Sequence, residues 1–359
     1  MLAQRMQESV QAQLLELCQA GAYRQYVGRY SAGLTEQLAA QHLGADVLLA
    51  SSGTAALEIA LRAAGVDAGD EVILSAYDYP GNFWAIDRVG ARPVLIDLDQ
   101  GWNISTEQLD RALDNALPNR LKALVASHLH GQMQPAAELR EWCDRHQLVF
   151  IEDNCQALGA SHGDRPSGTL GHVGIISFGG GKVLSAGRGG ALLTEDAAIA
   201  QKARLASGAG SGPYALSEIQ AAVVLAQLPW LPQLTQACRD FFGRVQQSLE
   251  RRSSPHLFPA GVDLSRTAFY QGGWLLPPGM GSAHRDALVS GLRGRGIAAG
   301  TGFSGFHRRS TRRCRTVGEL PHTAAVVART WIIHHSTAVA GVLAAEEVAE
   351  AIMAATSEL

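Results

Sequence analysis

Lysine is scarce in this chain: of 30 basic residues only Lys122, Lys182 and Lys202 are lysines. Arginine can supply positive charge anywhere, but it holds its proton too tightly to become a nucleophile. A chain that uses arginine almost everywhere keeps lysine where something besides charge is required, although GC-rich coding produces the same bias. Cysteine is unpatterned. Cys18, Cys143, Cys155, Cys238 and Cys314 show neither paired nor metal-like spacing, which gives no disulfide framework and suits a reducing compartment. No apolar stretch is long enough to span a bilayer. The N-terminal "MLAQRMQESVQAQLLELC" reads as an amphipathic helix and lacks the apolar run and cleavage site of a signal peptide. A net charge of -3 gives no case for nucleic acid or membrane as a partner. The expectation is a soluble, cytoplasmic protein. At 359 residues, 47% apolar and 18% charged, the chain can bury a sizeable core and is not disordered.

Between about residues 45 and 195, short apolar runs alternate with amphipathic segments. "ADVLLA", "DEVILS", "ARPVLIDLD", "KALVASHL", "HQLVFIED", "VGIISF" and "GGALLTE" read as buried strands, with "GTAALEIALRAAG" and "QPAAELREWCDRH" as helices between them. That alternation predicts an α/β fold with a mainly parallel central sheet and helices on both faces. The segment from Leu216 to Arg252 reads as a long helix, broken at Pro229 and Pro232. Beyond it, "FYQGGWLLPP", "HRDALVSGLRGRG" and "EEVAEAIMAA" suggest a smaller α+β domain. The expected division is a large domain over 1–232 and a small C-terminal one over 233–359.

In an open parallel sheet, ligands sit at the carboxyl ends of the strands. Four polar places follow apolar runs. "SSGTAALEIAL" puts Gly53 at a helix start, where Ser52 or Thr54 serves as a cap or free amides receive an anion. "AYDYPGNFW" puts the aromatic Tyr79 at a strand end, either as core or to stack on a flat ring. Asp153 in "IEDNCQALGA" directly follows an apolar strand, and a carboxylate buried there needs a partner: a helix amide or a cationic ring nitrogen. "SFGGGKVLSAGRGG" holds Lys182 among glycines. It is not a P-loop, since Ile176 stands where that pattern needs glycine and Val183 where it needs a hydroxyl. Lys182 is therefore either structural, a phosphate ligand, or a lysine made nucleophilic by desolvation. Lysine, acid, stacking aromatic and anion site together suit one cofactor, pyridoxal 5'-phosphate (PLP).

The ordered set "SSGTAAL", "GDEVI", "HLHG", "IEDNCQALGA", "ISFGGGK" and "GRGGALLT" resembles the DegT-type sugar aminotransferases, which are fold-type I PLP-dependent enzymes; the likeness runs from about residue 30 to the C-terminus. The resemblance implies that Lys182 forms the Schiff base and shuttles the proton, and that Asp153 pairs with the pyridinium nitrogen. It places Gln156 on the ring hydroxyl, Tyr79 on the ring face, and Gly53, Thr54 and Ser177 on the phosphate. It also implies a homodimer with shared active sites. The sequence departs from the family at Val183, where asparagine is usual, and at Arg188, where an acid is usual. The loop before "LSEIQAA" is short, and the family's Asn and Arg there fall at Pro213 and Ala215.

"GTGFSG" (Gly300 to Gly305) matches a dinucleotide fingerprint literally but is followed by "FHRRSTRRCR", not by an apolar helix. His128 and His130 lack a third metal ligand, so no metal is expected; a satisfied strand-end histidine is the favoured reading, with His128 also a candidate to support the cofactor from behind. The run His307 to Arg315 reads as a solvated loop or as a receiver of anionic substrate. His334 and His335 carry no assigned role. The reading is a PLP-dependent aminotransferase moving an amino group from glutamate to a keto sugar, nucleotide-linked or not. Its rivals are transfer to a cyclitol or other non-nucleotide ketone, which the short loop favours, and a PLP-binding sensor without turnover.

Overall fold

The computed structural model describes residues 2–99, 101–117, 119–208, 212–256 and 263–359. Helices α1 (Leu2–Gln19) and α2 (Arg29–Gln41) lead into β1 (Asp46–Ala50). Strands and helices then alternate: α3 (Gly53–Ala63), β2 (Glu71–Ser75), α4 (Pro80–Arg88), β3 (Arg92–Ile96), α5 (Thr106–Asp114), β4 (Leu121–Ser127), α6 (Ala136–Arg145) and β5 (Val149–Asp153). A small hairpin, β6 (Ser161–His162) and β7 (Arg165–Pro166), precedes β8 (Val173–Ser177) and β9 (Gly190–Thr194). Each apolar run of the sequence has become one strand.

These strands form a sheet in the order β1-β9-β8-β5-β4-β2-β3, and only β9 runs against the others. Side chains alternate between the faces, as a period of two requires. Ile175, Leu192, Ile151 and Val72 pack on one face with α3 and α4. Ile176, Leu193, Phe150 and Ile73 turn to the other, which is covered by α5 and α6 at one end and by α1, α2 and a later helix at the other. Both faces are buried, which is why the strands read as near-continuous apolar runs.

Helices α7 (Ala197–Ser207), α8 (Glu218–Gln227) and α9 (Leu231–Arg251) follow. Between α8 and α9 lies a 3-10 turn, Leu228–Trp230, with Pro229 and Pro232 each in the first turn of the helix it opens. Proline lacks the N–H that a helix interior needs but loses nothing in a first turn. The expected break is there.

The C-terminal part contains β10 (Gln271–Leu275), α10 (Ser282–Gly294), β11 (Ala299–Thr301), β12 (Arg315–Thr316), α11 (Pro321–Arg329), β13 (Thr330–His334), α12 (His335–Ala340) and α13 (Ala345–Ser357). A second sheet, β10-β13-β11, is antiparallel and shares a core with α9, α10 and α13. Strand β12 instead returns to the edge of the large sheet, parallel to β3, and brings Val317 and Val326 into that sheet's core. In the smaller core Trp274 and Trp331 stack at 4.8 Å, and the Trp274 indole N–H donates to Gln246 Oε1 at 3.0 Å. Trp274→Ala is expected to cost about 3–5 kcal/mol, because it removes a fully buried aromatic and leaves Gln246 short of a donor. Urea denaturation of the two proteins measures it.

Candidate active site

Because β1, β2, β4, β5 and β8 all point the same way, their carboxyl ends lie along one edge of the sheet, and β9 begins there. The polar residues that follow these strands in the sequence are thereby brought together.

At the end of β1, Ser52 caps α3, its Oγ accepting from the Ala55 amide at 3.0 Å. Gly53 follows at a very close approach. A Cβ there would lie 2.9 Å from both Cys155 Sγ and Ser177 Cβ, so the first turn of the helix is seated directly against the ends of β5 and β8. The first amides of a helix have no partner within it. Thr54 and Tyr79 converge over Gly81, where a Cβ would meet Thr54 Oγ1 at 2.8 Å and Tyr79 Cε1 at 2.4 Å. Tyr79 precedes Pro80 at the start of α4 and is 45% exposed, with its ring edge against Phe303. An aromatic core residue would be covered; this ring is half-exposed.

Asp153 closes β5 and is buried. Its Oδ2 accepts from Asn82 Nδ2 at 2.7 Å and Ser127 Oγ at 2.9 Å, and its Oδ1 from the Cys155 amide at 2.9 Å. Ser177 closes β8, and its Oγ accepts from the Gly179 amide at 3.2 Å, which pins the glycine turn. Gly181 sits at φ 81, a backbone region that suits glycine, and delivers Lys182. The Lys182 ammonium lies 4.4 Å from the centroid of the Tyr270 ring. Burial draws its pKa below the ordinary lysine value, against the pull of Cys155 and Asp153. A lowered lysine pKa at a strand end is what a nucleophilic amine requires. Gln156, on the turn after β5, uses its Oε1 to accept from the His130 amide at 3.1 Å, leaving its Nε2 as the donor.

His128 does not face this pocket. Its Nδ1 accepts from the Gln134 amide at 3.0 Å and its Nε2 donates to Glu152 at 2.8 Å. Glu152 points to the opposite face from Asp153 and also gathers the amides of Gly168, Leu170 and Gly171. Burial alone would raise the Glu152 pKa; the hydrogen bond from His128, with those amides, brings it below the usual value. The pair clamps the loop before β8, and His128 is the satisfied strand-end histidine that the sequence favoured. Among the described residues no cluster of metal ligands occurs, and no helix is long and apolar enough to cross a membrane.

Sequence reasoning overlooked the contribution of the C-terminal part. The imidazole of His334 contacts the Gly181 carbonyl at 2.9 Å, and Tyr270 underlies Lys182, so the residue leading into β10 and the end of β13 brace the lysine turn from outside the large sheet. It also passed over Asp78, Asn82 and Ser127, which surround Asp153. The signal was present in "YDYPGN", where an acid and an amide flank the tyrosine.

Burial holds His130, His256 and His335 down to about 4 from an ordinary 6.5. Between those values the unfolded chain binds protons that the folded one refuses, so stability falls as pH drops through the window and is fully present above 6.5. Each buried imidazole contributes on the order of 1–3 kcal/mol to the change. Urea midpoints at pH 7.5 and pH 5 are expected to differ markedly, and less so in His130→Gln.

The residues suit PLP on physical grounds: a buried carboxylate, a lysine of lowered pKa, a half-exposed ring near the carboxylate, and a helix start with no room for a side chain. Comparison with known proteins gives the same direction. Residues 4–353 match the pattern of the DegT/DnrJ/EryC1/StrS aminotransferase family. The chain belongs to that family. As an aminotransferase it is 33% identical over 295 residues to a GDP-perosamine synthase of Caulobacter vibrioides, covering 78% of each chain. It is 41% identical over 154 residues to an L-glutamine:2-deoxy-scyllo-inosose aminotransferase of Micromonospora echinospora, covering 43% of this chain and 36% of the relative. Among solved structures, 3-amino-5-hydroxybenzoic acid synthase superposes with a TM-score of 0.86 at 25% identity, over 98% of this chain and 97% of that one. The fold is the expected fold type I.

Proposed function

We propose that this aminotransferase uses PLP to move an amino group from glutamate or glutamine to a ketone on a sugar or cyclitol ring. The observation that carries the reading is the approach of Lys182, on the turn after β8, to Asp153 at the end of adjacent β5, close enough for the carboxylate to act on the amine. When bound, PLP supplies an aldehyde that captures amines and a ring that withdraws electrons from the carbon being deprotonated.

The chain's own residues have defined tasks. Lys182 Nζ, desolvated and so able to give up its proton, is the nucleophile and later the base at the reacting carbon. Asp153, fixed by three donors, holds a proton on the ring nitrogen and keeps the ring cationic. Tyr79 covers a ring face and Gln156 Nε2 serves the ring hydroxyl. Ser177, with the amides at Gly53 and Thr54, holds the phosphate at the start of α3, where the helix dipole favours an anion.

The short loop before α8 supports a small acceptor. Its described end is tied to its own subunit: the Tyr214 carbonyl accepts from the Ser51 amide at 2.6 Å, and Tyr214 Oη donates to Glu58 at 3.4 Å. A loop held against β1 has little reach toward a second subunit. We take the protein as a homodimer by likeness to its family, with a cyclitol or unlinked keto sugar favoured over a nucleotide-linked one.

The test is spectroscopic. Protein incubated with PLP is expected to gain a visible band, lose it on adding glutamate or glutamine, and regain it with a keto cyclitol. A protein that binds PLP yet converts no ketone is a sensor. Recovery with a nucleotide-linked keto sugar alone overturns the small-acceptor reading.

A further inference from the structure

Asp153 is not the only carboxylate beneath the pocket. Asp78, three residues beyond the end of β2, is completely buried. Its Oδ1 accepts from the Tyr79 amide at 2.6 Å, from Asn82 Nδ2 at 3.0 Å and from Ser127 Oγ at 2.7 Å. Asn82 and Ser127 are the same two side chains that bond Asp153 Oδ2, and they also contact each other at 2.9 Å. Two buried carboxyls thus share one amide and one hydroxyl. Among the described residues no basic side chain forms an ion pair with either.

The hydrogens do not suffice for two charged groups. Ser127 has one hydrogen for two carboxyl oxygens, and Asn82 Nδ2 has two for Asp78, Ser127 and Asp153. Asp78 Oδ2 is buried with no hydrogen-bond partner at all. An ionised oxygen left bare in the interior is far costlier than a neutral one. Burial first, and then the neighbouring Asp153, push the Asp78 carboxyl well above its ordinary range. The other titratable groups acting on Asp78 are Cys155, from the turn after β5, and Tyr77 on its own segment; α4 and β4 turn the neutral Asn82 and Ser127 toward it.

We propose that Asp78 is a positioning residue that holds one proton at neutral pH and, through Ser127 and Asn82, fixes Asp153 as the single negative charge turned to the cofactor's ring nitrogen. The inference rests on the reading of the site given above. Were Asp78 ionised too, repulsion would favour a proton on Asp153, and a neutral Asp153 no longer keeps a ring cationic. The pair works because its members differ: Asp153 has a donor on each oxygen, whereas Asp78 has none on Oδ2.

The experiment has two readouts. The first uses the protein without added cofactor: the infrared C=O stretch of a protonated carboxylic acid at neutral pH is expected in wild type and lost in Asp78→Asn. Its absence from the wild type overturns the proposal. The second uses protein loaded with PLP. Asp78→Asn is expected to bind PLP within about threefold of wild type at neutral pH, since it replaces one neutral group by another. The visible band of the bound cofactor is expected to show an alkaline step in wild type that the variant lacks. Binding weakened about tenfold or more at neutral pH, or identical pH profiles, overturns it. Ser127→Ala keeps both carboxyls and removes their bridge, so the acid band is expected to persist but shift. If Asp78→Asn does not fold, an unshifted band in Ser127→Ala overturns the proposal. A wild-type protein with the acid band but no uptake of PLP defeats the reading of the site, and the cofactor half of this inference with it, while the acid pair stands; the two failures are therefore distinguishable.

Discussion

Lys182→Ala is expected to lower turnover by about four orders of magnitude or more and to abolish the visible band that PLP gives with the wild type. The loss combines two roles, since one amine both anchors the aldehyde and moves the proton. Lys182→Arg should be equally inactive. It keeps a cation over Tyr270 and against Asp153, but guanidinium does not deprotonate. The comparison separates nucleophile from charge more sharply than alanine does. The other two lysines are the controls. Lys122 lies on β4 and Lys202 is exposed on α7, and neither touches the pocket. Lys122→Arg and Lys202→Arg should leave turnover within about twofold, as surface changes do. An active Lys182→Arg would sink the assignment and leave a charge-only role for the residue.

What was readable in the sequence follows from how the fold is built. Strands buried on both faces must be apolar throughout, so each announced itself as a short run, and the residue after each run was a site candidate by topology alone. Gly53, Tyr79, Asp153 and Lys182 were singled out that way, whereas Gln156, Ser177 and the phosphate role of Thr54 came only with the family resemblance. Partnership was harder to see. Asp78 and Asn82 stand beside Tyr79, yet nothing local shows that both turn inward to Ser127 and Asp153 rather than out to solvent. Tyr270 immediately precedes β10 and His334 ends β13 of the second sheet, and their place under the lysine turn is fixed only when the C-terminal part docks. His128 illustrates the converse. Its position after a strand made cofactor support conceivable, but alternation along β5 sends its partner Glu152 to the far face, where the pair holds a loop and His128 is the satisfied strand-end histidine the sequence favoured.

Asp153→Asn is the second large effect. The substitution keeps shape and removes charge, but an amide cannot accept on both sides. With its oxygen toward Asn82 and Ser127, its NH2 meets the Cys155 amide that now donates to Oδ1 at 2.9 Å; turned over, the NH2 faces Asn82 Nδ2, now 2.7 Å from Oδ2. One donor–donor contact is unavoidable, and about 1–3 kcal/mol of stability is expected to go with it. The chemical loss is separate and larger. Removing a preorganised charge from beside a developing one typically costs about two to three orders of magnitude in kcat, and the loss should fall on kcat more than on KM, because the ring nitrogen touches no substrate. Steady-state kinetics with saturating PLP, alongside a urea denaturation curve, separates the two. A variant that loses stability but keeps kcat would make Asp153 a structural member of the acid pair, and the ring nitrogen would then need another partner.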